Sequence, residues 1–109
     1  MQRVAQIIRL KPEAIEEYKR IHADVWPGVL AQIAESGIKN YSIFLREPEN
    51  LLFAYFEYHG EDLAADMKRM ADDPTTQDWW KITDPMQESL ETTSDDQWWA
   101  PAEEVFHTE

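Results

Sequence analysis

The fold is decided by the stretch IKNYSIFLREPENLLFAYFEY, residues 38–58. Its β-branched and aromatic side chains predict strands at about 38–46 and 51–58. The turn-forming residues 47–50 (EPEN) between them predict a hairpin. The middle of the chain is therefore expected to form two adjacent antiparallel strands.

Toward the N-terminus, the sequence predicts one further strand and one long helix. Residues 3–10 (RVAQIIRL) form a short run rich in β-branched side chains, which predicts the first strand. A helix is expected from Pro12, because glutamates follow in its first turns and Gly37 comes just after its last turn. Pro27 removes one backbone donor and disfavours the helical conformation at Trp26, so we expect the helix to bend there.

Toward the C-terminus, the pattern becomes helical again. Leu63, Met67 and Met70 recur at spacings of three and four residues, which predicts one face of a helix. The residues Asp72-Asp73-Pro74 then predict the start of another helix, which runs to about Met86. Polar residues 91–97 (ETTSDDQ) predict a loop, and residues 102–107 (AEEVFH) predict a last short strand.

The predicted element order is strand, helix, strand, strand, helices and strand. This order is typical of the α+β class with a ferredoxin-like, split βαβ arrangement, in which a four-stranded antiparallel sheet carries helices on one face. A chain of 109 residues is long enough for one hydrophobic core and too short for two. We therefore expect a single domain, residues 1–109.

The open face of the predicted sheet indicates a partner. Strand 51–58 is apolar on both of its sides, whereas helices would cover only one of them. We expect a second copy of the chain to cover the other side, so that the protein is a homodimer of the dimeric α/β barrel type. Trp98 and Trp99 are candidates for a second contact between the protomers.

Composition excludes several classes of function. The formal net charge of −12 disfavours binding to nucleic acid or to a membrane surface. There is no cysteine, and the three histidines lie too far apart in sequence to predict a zinc site. Three glycines do not form a phosphate or dinucleotide loop, so we expect neither a metal nor a cofactor. The N-terminal apolar stretch is shorter than the core of a signal peptide, which predicts a cytoplasmic protein.

The apolar stripe of the long helix contains two side chains that are able to carry chemistry. Steps of three and four residues place Tyr18 and His22 in this stripe, facing the sheet. A histidine with satisfied hydrogen bonds in the core is the commoner explanation, but imidazole also gives and takes protons at neutral pH. Tyr41 alternates with Ile43 and Leu45 along its strand, and it shares this space only if that side faces the helix.

Trp79 and Trp80 are adjacent on a predicted helix. Their side chains project about 100° apart, so we expect the two to differ in burial. Flat aromatic faces and indole donors suit the C–H patches and hydroxyl groups of a sugar. The same side chains also suit ordinary core and dimer contacts, and the pattern alone does not choose between these roles.

Taken together, these features resemble the L-rhamnose mutarotase family over nearly the whole chain. The resemblance rests on five fragments in the order EEYKRIHADVWP (16–27), GIKNYSIFL (37–45), NLLFAYFE (50–57), WWKITDPM (79–86) and EEVFH (103–107). It implies a cofactor-free, dimeric isomerase that interconverts the α and β anomers of L-rhamnose. It further implies that His22 is the proton donor and that the sugar is bound by Tyr18, Tyr41, Trp79 and Trp80.

The chemistry that the resemblance implies is the opening and reclosure of a sugar ring. In this hypothesis His22 donates a proton to the ring oxygen, while a second group or water removes the proton of the anomeric hydroxyl. The sequence does not identify that base. The segment 91–97 and the Trp98-Trp99 pair match no motif of the family, which leaves open the particular 6-deoxy sugar.

Two alternatives share the predicted fold. Dimeric ferredoxin-like barrels also include cofactor-free monooxygenases and haem-degrading enzymes, which similarly use a buried histidine and tryptophan. The second alternative is a non-catalytic, sugar-binding dimer. Fold alone does not separate these alternatives from a mutarotase.

Overall fold

The computed structural model describes all residues from Met1 to Glu109. Its strands and helices follow in the order β1 (Gln2–Leu10), α1 (Ile15–His22), α2 (Pro27–Glu35), β2 (Ile38–Arg46), β3 (Leu51–Tyr58), α3 (Leu63–Asp72), α4 (Pro74–Thr83), β4 (Gln87–Glu88) and β5 (Ala100–Ala102). Short 3₁₀ turns precede α1 at Pro12–Ala14 and follow α4 at Asp84–Met86. None of the helices combines the length and the apolar character needed to cross a membrane.

The sheet has the strand order β2-β3-β1-β4, and all of its pairs are antiparallel. β1 and β3 lie side by side at its centre, paired from Gln2 opposite Tyr58 to Arg9 opposite Leu51. β5 pairs with the same edge of β1 as β4 does, opposite residues Ala5–Ile7. This is the predicted α+β, ferredoxin-like order, and the hairpin strands β2 and β3 have the predicted bounds. The sheet has five strands where four were predicted, because both β4 and β5 pair with β1.

The helices cover the face of the sheet that carries the even-numbered residues of β1 and β3. Ile8 and Leu52 on this face are at most 1% exposed, and they pack against Ile15 and Tyr18 from α1. The opposite face keeps large apolar groups in contact with water, including Phe44, which is 63% exposed. Helices on one face of the sheet were predicted, and this burial pattern confirms them.

The predicted bent helix is in fact two separate helices. α1 ends at His22, residues 23–26 connect, and α2 begins at Pro27. Trp26 adopts φ −57° and ψ 135°, an extended conformation. Proline disfavours the helical conformation of the residue before it, and here the effect interrupts the helix instead of bending it. The prediction of one continuous helix was wrong, and the break makes His22 a helix-terminal residue.

The end of the chain also differs from the prediction. The last strand is β5 at Ala100–Ala102, and residues 103–109 have no regular structure. Val105 and Phe106 in the predicted strand are 87% and 78% exposed. The predicted strand 102–107 was therefore misplaced. β4, which the sequence did not predict, is only two residues long and is defined by its pairing with β1.

A β-bulge in β2 determines where Tyr41 points. The register between β2 and β3 shifts between Lys39 and Ser42, and Asn40 in between has φ +52°. Bulges redirect side chains relative to a regular strand. The ring of Tyr41 lies 5.5 Å from that of buried Phe56, on the helix-covered side. The question of facing that the sequence left open is thereby answered.

Candidate active site

A cavity of about 450 Å³ lies between the helices and the covered face of the sheet. It brings together all five residues predicted for the site, Tyr18, His22, Tyr41, Trp79 and Trp80. The remaining wall residues are Gln6, Val29, Ile33, Ile38, Ile43, Phe56, Met67, Met70, Thr76, Thr83, Asp84, Gln87, Trp98 and Trp99. The wall is mostly apolar, with a few polar groups that point to a specific ligand orientation.

His22 is held by the backbone of its own helix. Its Nδ1 lies 2.7 Å from the carbonyl oxygen of Tyr18, one turn earlier in α1. A carbonyl oxygen only accepts hydrogen bonds, so Nδ1 carries a proton and donates it to this oxygen. The other ring nitrogen, Nε2, has no hydrogen-bond partner in the protein. Any proton transfer by His22 must therefore take place at Nε2.

Two aromatic rings enclose the imidazole. The ring of Tyr18 stacks on it with a centroid distance of 4.0 Å, and Trp79 meets it edge-on at 5.3 Å. Burial against these rings lowers the pKa of His22 below its ordinary value of 6.5, and the hydrogen bond to Tyr18 offsets this only in part. His22 is consequently neutral at pH 7, with its proton on Nδ1 and a lone pair on Nε2.

Tyr18 is 5% exposed, and its hydroxyl contacts the side chain of Gln87. Burial raises the pKa of the phenol most, and the nearby Tyr41 hydroxyl raises it further, since two phenolates would repel each other. The hydrogen bond from Gln87 works in the opposite direction. Tyr18 therefore remains a neutral phenol and a possible donor throughout the physiological pH range.

Tyr41 borders the cavity from the sheet side. The residue is 37% exposed and lines the cavity. The surrounding protein nevertheless withdraws its hydroxyl from bulk water, which raises the pKa of the phenol to about 12. Tyr41 is thus a second neutral hydroxyl group facing the same space as Tyr18.

The two adjacent tryptophans occupy different environments, as predicted. Trp79 is 6% exposed and packs edge-on against Trp26, with a centroid distance of 5.1 Å. Trp80 is 36% exposed on the cavity wall. Their helix starts at Pro74 with Asp73 as its cap, and the Asp73 carboxylate accepts hydrogen bonds from the backbone and hydroxyl of Thr76. Because the helix begins at Pro74, Trp79 lies on the side of α4 that faces the protein interior.

The structure adds wall residues that sequence analysis missed. Gln87 in β4 is 5% exposed and touches Tyr18, but a single glutamine after a helix carries no recognisable sequence signal. Trp98 and Trp99 were considered as contacts between protomers, and in the structure both also border the cavity. In the sequence, the only indication that the segment around Trp98 packs against the rest of the protein is the pair of tryptophans that follows the polar residues 91–97.

The cavity wall contains little charge, although the whole chain is strongly acidic. Asp84 supplies its one carboxyl group, and no lysine or arginine borders it. Asp84 lies at the exposed end of α4, where partial burial raises the pKa of its carboxyl above the ordinary value of 3.8. No group of three or more His, Asp or Glu side chains is arranged to hold a metal ion. The wall thus suits a neutral polyol better than an anion.

Comparison with protein families and sequences gives one consistent result. A family model for L-rhamnose mutarotase matches residues 3–108. An L-rhamnose mutarotase from Oceanobacillus iheyensis is 35% identical, with 98% of each chain covered. One from Bacillus subtilis is 38% identical over 87% of this chain and 86% of its own length.

Comparison with solved structures agrees in fold. The crystal structure of an L-rhamnose mutarotase from Formosa agariphila matches with a TM-score of 0.80 and 26% identity, and both chains are covered completely. A tetracenomycin F2 cyclase from Streptomyces glaucescens matches with a TM-score of 0.70 over 100% of this chain and 97% of its own. At 15% identity, that second likeness concerns the fold alone.

Proposed function

This chain belongs to the L-rhamnose mutarotase family of anomer-interconverting isomerases, and on that premise we propose that its cavity converts the α and β anomers of L-rhamnose by proton transfer at His22. The observation that carries the proposal is the hydrogen bond between His22 Nδ1 and the Tyr18 carbonyl. It leaves one nitrogen, Nε2, for chemistry within a cavity lined by hydroxyl and aromatic groups. The family match favours neither the monooxygenase and haem-degrading alternative nor a non-catalytic sugar-binding dimer.

The reaction moves one proton between two oxygens that are bonded to the same carbon of the sugar. In the proposed first step, neutral His22 accepts the proton of the anomeric hydroxyl at Nε2. The imidazolium then donates that proton to the ring oxygen as the bond between this oxygen and the anomeric carbon breaks, which gives the open-chain aldehyde. His22 is thus the proton donor that the family resemblance implies, and it also supplies the base that the sequence left unidentified.

Reclosure follows the same steps in reverse. Rotation about the bond between C1 and C2 turns the other face of the aldehyde toward the ring oxygen. His22 accepts the proton of the attacking hydroxyl and returns a proton to the new anomeric oxygen. The imidazole ends in its starting form, and the net change is inversion at the anomeric carbon.

The lowered pKa of His22 suits both halves of this cycle. A neutral imidazole is ready to accept a proton at pH 7, and the imidazolium that forms is a stronger acid than a solvent-exposed one. Mutarotation already occurs in water, so a positioned acid–base group that contributes a factor of about 10²–10⁴ accounts for useful catalysis. Only a proton changes place, and the proposed steps use no cofactor.

Sugar binding is assigned to the two phenols and the two tryptophans of the wall. Tyr18 and Tyr41 would hold sugar hydroxyl groups, because both phenols stay protonated at neutral pH. Trp79 and Trp80 would pack against the C–H faces and the methyl group of a 6-deoxy sugar. The scarcity of charge in the wall supports a neutral sugar as the substrate.

We propose that the active form is a cytoplasmic homodimer that takes part in carbohydrate metabolism. The uncovered face of the sheet supports a second copy as its cover, since Phe44 and Phe53 there are 63% and 39% exposed. Val105 and Phe106 on the C-terminal tail add further exposed apolar surface that a partner protomer could bury. The expected contact of Trp98 and Trp99 with the partner remains a prediction.

Proton NMR saturation transfer between anomers tests the proposed substrate. Saturating the α-anomeric proton of L-rhamnose should reduce the β-anomeric signal more when the protein is present than in buffer alone. The same measurement with L-fucose serves as the comparison. Accelerated exchange of L-fucose without acceleration for L-rhamnose would contradict the assignment of the sugar, and no acceleration for either would contradict the function.

A further inference from the structure

Three side chains form a continuous hydrogen-bonded row along the cavity wall. The indole Nε1 of Trp98 donates to Oε1 of Gln87 over 2.9 Å. Nε2 of Gln87 lies 3.3 Å from the hydroxyl oxygen of Tyr18. The row joins the C-terminal segment to α1 through a side chain that is 5% exposed.

The chemistry of the groups fixes the direction of every hydrogen bond in this row. An indole N–H is a donor only, so it must meet the oxygen of the Gln87 amide. The amide nitrogen then necessarily faces Tyr18, and an amide N–H also only donates. The phenolic oxygen of Tyr18 is therefore the acceptor. Its own proton takes no part in the row and is free for another acceptor.

The surroundings leave few acceptors for that proton inside the protein. Tyr18 makes no other side-chain hydrogen bond, and it lines the cavity. A buried hydroxyl without an acceptor costs free energy, so an oxygen atom of a ligand would complete the arrangement. A sugar offers several such oxygens close to the catalytic imidazole that stacks on the same phenol ring.

We propose that Gln87 and Trp98 are positioning residues that hold the Tyr18 hydroxyl as a hydrogen-bond donor to an oxygen of the sugar. The inference rests on the proposed function, because it assigns a geometry to one of its sugar-binding groups. Gln87 and Trp98 act through Tyr18 and need not touch the sugar themselves. They make recognition directional, because the ligand must offer an acceptor at this position.

The variant Gln87→Glu tests the direction of the row with almost no change in shape. The introduced carboxylate accepts hydrogen bonds from both Trp98 and Tyr18. The Tyr18 hydroxyl would then donate to this carboxylate and no longer be available to the sugar. We expect KM for L-rhamnose to rise by about tenfold, the usual scale for loss of one hydrogen bond. Trp98→Phe keeps an aromatic ring but removes the N–H together with the five-membered part of the indole, and we expect a smaller rise in KM.

A double-mutant cycle separates positioning from a purely structural role. If Gln87 acts through the Tyr18 hydroxyl, Gln87→Glu should have no further effect on KM in a Tyr18→Phe background. An equal rise in KM in both backgrounds would overturn the proposal. An unchanged KM after Gln87→Glu in the otherwise wild-type protein would overturn it as well.

An NMR measurement tests the row independently of activity. The indole N–H signal of Trp98 is identified by its absence from the spectrum of Trp98→Phe. Gln87→Leu removes the acceptor, so the Trp98 signal should shift upfield while those of Trp26 and Trp79 stay in place. An unmoved Trp98 signal would overturn the row itself. A shifted signal in a protein that accelerates no anomer exchange would instead contradict the proposed function and leave the row standing.

Discussion

The Nδ1 of His22 lies 2.7 Å from the backbone carbonyl oxygen of Tyr18, so a carbonyl one turn earlier in α1 sets the protonation pattern of the proposed catalytic base. An isolated imidazole exchanges its proton between two nitrogens. In this helix the carbonyl retains the proton on Nδ1, which leaves Nε2 for the proposed proton transfer. The break after His22 then leaves the imidazole at a helix end, beside the cavity.

The pH dependence of catalysis should follow His22. Burial disfavours the charged imidazolium and lowers the pKa below 6.5, so the neutral form that accepts the first proton predominates above that pH. We expect the enzymatic exchange rate to be constant between about pH 7 and 8, and to fall as the pH is lowered through a value below 6.5. Saturation transfer, corrected for the spontaneous rate at each pH, measures this profile. An enzymatic rate that instead falls as the pH rises above 6.5 would indicate that His22 starts as the imidazolium.

Asp84 is the one carboxyl group of the cavity wall and hence the competing candidate for the base. The proposed cycle assigns both proton transfers to His22, so Asp84→Asn should lower kcat by less than about tenfold, below the range for loss of an acid–base group. Steady-state rates of anomer exchange decide the point. A loss as large as that of a His22 variant would transfer the role of base to Asp84.

Trp79 and Trp80 should differ in how much they contribute to stability. Trp79 is 6% exposed and packs on His22 and Trp26, so Trp79→Ala should lower the free energy of unfolding by about 3–5 kcal/mol. Trp80 is 36% exposed, and Trp80→Ala should mainly raise KM. Denaturant unfolding and exchange kinetics measure the two effects. Similar losses of stability in both variants would argue against this division.

The proposed dimer is testable on the open face of the sheet. Phe44 is 63% exposed there, opposite Phe53 of the neighbouring strand. A charge in a buried interface is costly, so we expect Phe44→Glu to be a monomer and the wild-type protein to sediment as a dimer. Sedimentation equilibrium of the folded variant gives the mass directly. Equal masses for the two proteins would show that this face is not the interface.

The sequence predicted those parts of the fold that have local signals. The hairpin bounds follow from the EPEN turn between two apolar strands. The order of helices and strands follows from the change between strand-like and helix-like hydrophobic patterns along the chain. β4 lacked such a signal, because two residues form a strand only through their pairing with β1. Val105 and Phe106 are apolar, as strand residues often are, but both are exposed in the structure. The last strand was therefore predicted C-terminal to its actual position at Ala100–Ala102.

In the candidate site, too, the sequence predicted local relationships between residues but not the contacts between distant parts of the chain. Helical spacing grouped Tyr18 with His22, and alternation grouped Tyr41 with Ile43, since both periodicities are local properties of the chain. Gln87 joins Tyr18 across 69 positions of sequence, and only the folded sheet brings them together. The hydrogen bond of His22 to a backbone carbonyl likewise depends on the rotamer within the folded helix.

The most direct test of the central claim is saturation transfer between the anomers of L-rhamnose with wild-type protein, His22→Ala and His59→Ala at equal concentration. His59 is an exposed histidine outside the cavity wall, which makes its variant the matched control. We expect the wild type and His59→Ala to accelerate exchange equally, and folded His22→Ala to lose a factor of about 10²–10⁴ or fall to the spontaneous rate. Exchange by His22→Ala at the wild-type rate would contradict the assignment of proton transfer to His22.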